Sequence, residues 1–188
     1  MNKKSTRFDM EKPFPTLNTE RLTLRQPKLT DDGEMHVQRS DERIIRFLGR
    51  PACESPEEAR QFIANILGII ENGDGYFWVI TLKNEDKLIG TICYWNLEKE
   101  QHLAEIGYAL HPDFHGKGIM QEALSEVIRF GFEQLQLRTI TAFSAAENAP
   151  SRKLLERTGF QVDMSLLEND SNSKDQAGMV SYILKTHN

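Results

Sequence analysis

The chain has 188 residues, 39% of them hydrophobic and 27% charged, with a formal net charge of −5 at pH 7. That length and balance predict one domain with a well-buried core and exclude a disordered or fibrous chain. The acidic balance argues against broad electrostatic binding to nucleic acid or anionic lipid, since those partners reward a basic face.

Residues 1–15 are polar and carry Lys3, Lys4, Arg7 and Lys12, with no apolar segment behind them to serve as a signal-peptide core. They read as a short lead-in to a single domain over residues 16–188. Apolar runs such as Ile69-Ile70 fall far short of the roughly 20 residues a membrane helix needs. Arg21-Leu22-Thr23-Leu24-Arg25 alternates polar and apolar, which predicts a first strand ended by Gln26-Pro27. Thr30 before Asp31-Asp32 predicts a helix start, and a second helical piece is expected around residues 41–47. Ser55-Pro56-Glu57-Glu58 is a capping box with proline at the first helical position. Ala59, Phe62, Ile63, Ile66 and Ile70 then recur at helical spacing as far as Asn72-Gly73.

Three β-rich stretches follow, at 76–82, 87–95 and 103–110, and polar turns between them predict an antiparallel meander. After the loop at 111–118, residues 119–135 place Ala123, Leu124, Val127, Ile128, Gly131 and Leu135 on one helical face. A strand over 138–143 leads to a short helix over 150–158, with Gly159 placed to end it in the left-handed conformation. Strands over 160–166 and 179–185 close the chain, separated by a polar loop at 168–175. The order β-α-α-β-β-β-α-β-α-β-β predicts a mixed α+β fold, with a mostly antiparallel twisted sheet of about seven strands and flanking helices. Cys53 and Cys93 lack CxxC spacing, so neither a zinc cluster nor a disulfide framework is expected, and a reducing, cytoplasmic setting fits.

His115-Gly116-Lys117-Gly118 joins a strand to a helix. Backbone N–H groups there point outward at a helix N-terminus, which suits a phosphate or pyrophosphate, and Lys117 adds a charge if it turns inward. Neither GxxxxGK[ST] nor GxGxxG is present, which excludes two nucleotide motifs. Glycine serving turn geometry alone is the competing reading.

A second motif decides between them. The run Glu147-Asn148-Ala149-Pro150-Ser151-Arg152-Lys153-Leu154-Leu155-Glu156-Arg157-Thr158-Gly159-Phe160, with Pro112-Asp113-Phe114-His115-Gly116-Lys117-Gly118 and Gln121-Glu122-Ala123, resembles the GNAT superfamily of acetyl-CoA-dependent N-acetyltransferases. The resemblance covers residues 19–185. Thr19-Glu20-Arg21-Leu22-Thr23-Leu24-Arg25 and Ala104-Glu105-Ile106-Gly107-Tyr108 are similar to the Rim-type branch, which includes ribosomal-protein N-terminal acetyltransferases.

The resemblance implies that His115, Gly116, Lys117, Gly118, Ile119 and Met120 wrap the CoA pyrophosphate. It also implies that backbone groups of Tyr108, Ala109 and Leu110 pair with the pantetheine arm like another strand, and that Asn148 hydrogen-bonds that arm. The family pattern has Gln or Arg where His115 stands and Gly or Ala where Met120 stands, departures that leave the amides available. Attack of a neutral amine on a thioester needs a proton acceptor and donors for the oxyanion. Glu105, on one strand face with Gly107 and Ala109, is the expected base; a cross-strand paired or solvent-facing glutamate is the competing reading. Many GNAT enzymes have a tyrosine acid where this chain has Leu155, and resemblance to the Rim-type branch points instead to Ser151 as donor to the sulfur, against a plain capping role.

Cys93 reads as a core residue and not an acetyl carrier, so direct transfer in a ternary complex is expected. No metal is expected at His111, Asp113 and His115, and Phe47, Phe77, Trp78 and Trp95 read as core. The implied function is acetyl transfer from acetyl-CoA to a protein N-terminal amine. A small amine such as a polyamine or aminoglycoside is the alternative acceptor, and a non-catalytic acyl-CoA sensor the alternative role. Expected partners are acetyl-CoA and the amine, with a homodimer left open and neither nucleic acid nor membrane involved.

Overall fold

Apolar alternation builds the sheet. In the computed structural model, which describes residues 13–48, 51–168 and 178–186, strand β2 (Leu22–Arg25) buries Leu22 and Leu24 and turns Thr23 and Arg25 away. It lies between a two-residue β1 (Leu17–Asn18) and β3 (Tyr76–Leu82). β3, β4 (Gly90–Glu98) and β5 (Leu103–Leu110) form the antiparallel meander. β6 (Thr139–Ala145), β7 (Gln161–Val162) and β8 (Met179–Lys185) complete an 8-stranded sheet in the order β1-β2-β3-β4-β5-β6-β8-β7. Among the described residues β5 and β6 form its one parallel pair.

Helices cover both faces. α1 (Asp32–Ser40), the short α2 (Glu42–Ile45) and α3 (Pro56–Asn72) precede the meander, and Met35, Ala59, Ile63, Ile66 and Ile70 pack there against Phe77, Val79 and Cys93. α4 (Ile119–Glu133) and α5 (Ala149–Arg157) cover the opposite face, where Ala123, Leu124, Val127 and Leu155 meet Trp78, Ile80, Ile92 and Ile106. Residues 77 and 79 therefore serve one core and 78 and 80 the other, as strand alternation requires. Tyr94 is fully buried, and its hydroxyl donates to the carbonyl of Val127 at 2.9 Å, which ties β4 to α4. The lead-in's last residues join the core: Phe14 lies against Tyr76 and Trp78, and Trp78 Nε1 donates to the Pro15 carbonyl at 2.9 Å.

The helix ends follow local chemistry. Ser55 Oγ accepts from the Glu58 N–H at 3.2 Å, and Gly73, at φ 75°, closes α3 by donating to Ile69 and Ile70. Thr30 does not start α1. The Asp31 carboxylate accepts from the Lys28 N–H at 2.7 Å and pairs with Arg25 at 2.7 Å, winding residues 29–31 into a 3₁₀ turn, so the α-helix begins at Asp32.

Two strand expectations need correction. The strand expected over 87–95 runs from Gly90 to Glu98, with a register shift between Trp95 and Glu98. The strand expected over 160–166 stops at Val162, because Asp163 Oδ1 accepts from both the N–H and the hydroxyl of Ser165 and starts the short α6 (Ser165–Glu168). Residues 1–12 of the expected lead-in and 169–175 of the expected polar loop lie outside the described residues. Among the described residues no helix is long and apolar enough to cross a membrane.

Candidate active site

The two central strands separate. β5 and β6 pair only at Leu103↔Thr139, Ala104↔Ile140 and Glu105↔Thr141. Beyond that, β5 stays with β4 as far as Leu110 and β6 stays with β8 as far as Ala145. The facing edges of residues 106–110 and 142–145 thus have no strand partner among the described residues. Unpaired N–H and C=O groups in mid-sheet make a slot for an extended, amide-bearing ligand. Tyr108, Ala109 and Leu110 lie along its edge, and Glu105 stands at its point, in the last paired position.

The glycine loop lies at the open end. After a 3₁₀ turn at Pro112–Phe114, Gly116 and Gly118 adopt φ 73° and 72°, left-handed conformations that favour glycine. α4 has no side-chain cap, and among the described residues no backbone carbonyl outside the helix accepts from the N–H of Gly116, Lys117 or Gly118. These amides and the first turn of a 15-residue helix are an arrangement that suits an anion, a candidate cradle. Ile119 and Met120 send their side chains into the core at 5% and 8% exposure, so each can offer a ligand only its backbone. The His115 ring bonds the Leu110 carbonyl at 2.9 Å, tying the loop to β5, and Lys117 Nζ turns back onto the Asp113 carbonyl at 2.8 Å.

Arg21 supports the loop from below. It donates to the Lys117 carbonyl at 3.0 Å and pairs with Glu122 at 2.6 Å, while Thr19 Oγ1 also reaches Glu122. Burial works to raise the Glu122 carboxyl, but the hydrogen bonds from Thr19 and Arg21 outweigh it and hold the group below the usual range. Sequence reading left Arg21 as a strand residue; only the fold brings it to the loop.

Across the slot, Asn148 is the N-cap of α5, its Oδ1 accepting from the Ser151 N–H at 3.2 Å. Capping thus falls to Asn148, which leaves the Ser151 hydroxyl available. That hydroxyl lies 2.9 Å from Tyr108 Oη. Burial pushes the Tyr108 phenol up to about 12, against the opposing hydrogen bond with Ser151. Leu155, at the position where the resembled family often has a tyrosine, is fully buried in the core.

Glu105 sits on the opposite face of β5 from Tyr108 and is half-buried. Its Oε2 accepts from Asn96 Nδ2 at 2.8 Å. Asn96, at φ 47° in the irregular stretch of β4, is a residue that sequence reading missed; its signal was an asparagine, tolerant of the left-handed region, within a strand. On the same face as Glu105, Gly107 lies close against Cys93 Sγ and the Trp95 indole, which an added Cβ would meet at 3.3 and 3.7 Å. Trp95 therefore edges the site as well as packing on the core, while Trp78 is wholly core. Cys53 and Cys93 are buried and neither is in a disulfide. His111 lies 3.6 Å from Asp113, and among the described residues no three His, Cys, Asp or Glu side chains converge to hold a metal ion.

Comparison with known proteins gives the family and the fold. The family model of the acetyltransferase (GNAT) domain matches residues 21–161. An uncharacterized N-acetyltransferase of Bacillus subtilis, YoaA, is 34% identical over 150 residues, 80% of this chain and 85% of that protein. The ribosomal-protein-serine acetyltransferase of Escherichia coli is 29% identical over 110 residues, 58% of this chain and 60% of that protein. Among solved structures, an acetyltransferase from Agrobacterium tumefaciens superposes with a TM-score of 0.76 at 24% identity, covering 96% of this chain and 99% of its own. RimL, a ribosomal L7/L12 α-N-protein acetyltransferase solved with coenzyme A, superposes with a TM-score of 0.73 at 18% identity, covering 91% and 98%. The family match spans most of the sequence, and the chain belongs to the GNAT acetyltransferases, enzymes that take their acetyl group from acetyl-CoA.

Proposed function

We propose that this enzyme acetylates the N-terminal amine of a protein, by direct attack of the amine on acetyl-CoA in a ternary complex. The observation that carries the reading is the placement of Glu105 and Ser151 on either side of the slot where β5 and β6 part. A thioester lying in the slot would have a carboxylate on one side and a hydroxyl on the other. Glu105 takes the proton of the attacking nitrogen, directly or through one water. An N–H of the free β5 edge stabilises the oxyanion, and the Ser151 hydroxyl hydrogen-bonds the departing sulfur.

The donor binds through backbone: the edge at Tyr108, Ala109 and Leu110 pairs with the pantetheine amides, and the amides of residues 115–120 hold the pyrophosphate. Asn148 Nδ2 is the group of that side chain left to meet the pantetheine arm, since its oxygen caps α5. The choice of a protein acceptor is supported by the names of the Escherichia coli relative and of RimL.

Two peptides test the choice: one with a free N-terminus and blocked lysines, the other with a blocked N-terminus and free lysines. Mass spectrometry after incubation with acetyl-CoA should find acetyl on the α-amine of the first alone. Acetyl on lysine, or on neither peptide while a polyamine is acetylated, would replace the protein N-terminus as acceptor.

A further inference from the structure

A serine hydroxyl has one proton and rotates freely, so its value as a donor to sulfur depends on where that proton points. Three observations bear on the surroundings of Ser151. The Asn148 cap pins its backbone at 3.2 Å. Tyr108 Oη stands 2.9 Å from its Oγ, while the Ser151 carbonyl is a distant 3.5 Å from the same phenol. The neighbouring Tyr182 hydroxyl accepts from Arg152 Nε at 3.1 Å and faces Glu156, so it is engaged elsewhere. Burial raises the Tyr108 phenol to about 12, so it is protonated near neutral pH and loses its proton only in strong alkali, and Ser151 Oγ is its nearer acceptor.

We propose that Tyr108 is a positioning residue for acetyl transfer: its phenol donates to Ser151 Oγ and thereby directs the serine proton toward the departing sulfur. The inference rests on the reading of Ser151 as the sulfur's hydrogen-bond donor. It also accounts for Leu155, because a phenol from β5 supplies polarity that the fully buried leucine on α5 does not. In the step itself the amine nitrogen bonds the carbonyl carbon and the carbon–sulfur bond breaks. The electron pair stays on sulfur, which Ser151 hydrogen-bonds, CoA leaves as the thiolate, and the amine's proton leaves through Glu105. The Tyr108 phenol touches neither substrate and acts through the serine alone, whatever the residue's backbone does at the edge of the slot.

The test is a kinetic cycle on the full chain with acetyl-CoA and an accepted amine. Tyr108→Phe keeps the ring and removes the hydroxyl; kcat should fall about tenfold with KM for acetyl-CoA unchanged. In a Ser151→Ala background the same change should alter kcat less than about twofold, since the partner it acts through is gone. Equal losses in both backgrounds, or no loss in the wild type, would overturn the positioning role. An unchanged kcat in Ser151→Ala alone would instead remove the reading of Ser151 on which it rests. Replacing Tyr108 with 3-fluorotyrosine, which preserves shape, gives a second readout. A more acidic phenol should bring the alkaline loss of kcat to lower pH than in the wild type, and an unmoved pH profile would count against the proposal.

Discussion

The cradle at the head of α4 and the reacting centre at the point of the slot are built from different materials. The cradle is backbone: two glycines at positive φ, a helix start without a side-chain cap, and inward-facing Ile119 and Met120. The proposed reacting centre is side chain: Glu105 held by Asn96, and Ser151 held by Tyr108, each partner coming from another element. A backbone site tolerates changes of side chain so long as the dihedral angles survive. A side-chain site depends on single atoms, and the largest mutational effects should fall there.

The sharpest expected loss is at Glu105. Glu105→Gln should lower kcat about a hundredfold near neutral pH and less at high pH, where the amine deprotonates unaided. A pH–rate profile of the same shape as the wild type would end the base role. Ser151→Ala comes next, with kcat down about tenfold and acetyl-CoA affinity unchanged by calorimetry. Because Asn148 and not Ser151 caps α5, the melting temperature should hold; a fall in Tm with normal kcat would make the serine structural.

The cradle should answer more weakly and in the other parameter. Gly118→Ala forces a Cβ into the left-handed region, a cost of about 1 kcal/mol, and sets it 3.4 Å from Arg21 Nη2. KM for acetyl-CoA should rise about fivefold with kcat little changed, and a loss confined to kcat would blur the distinction between the two regions. His115→Gln should be nearly silent, within about twofold in KM, because a glutamine amide can also donate to the Leu110 carbonyl. A large loss there would mean that the imidazole itself meets the donor.

This difference in material also explains what the sequence made legible. The long helices, the meander and the loop were readable because their signals are local: the cap at Ser55, the alternation in β3, the left-handed glycines. The strand expected over 160–166 failed for a local reason too, the Asp163–Ser165 turn being stronger than the apolar pattern. Glu105 and Ser151 are proposed from residue type and motif, whereas the contacts of Asn96, Tyr108 and Arg21 arise only when elements far apart in sequence are packed together. The two-residue β1 escaped notice because so short a strand carries no periodicity.

The most direct test of the central claim is thiol release from acetyl-CoA by the wild-type chain, measured in steady state against peptides with free N-termini and against polyamines and aminoglycosides. The account predicts sustained turnover with the peptides and a product acetylated at the α-amine. Turnover with the small amines alone would contradict the acceptor, and tight CoA binding without turnover on any amine would contradict the roles given to Glu105 and Ser151.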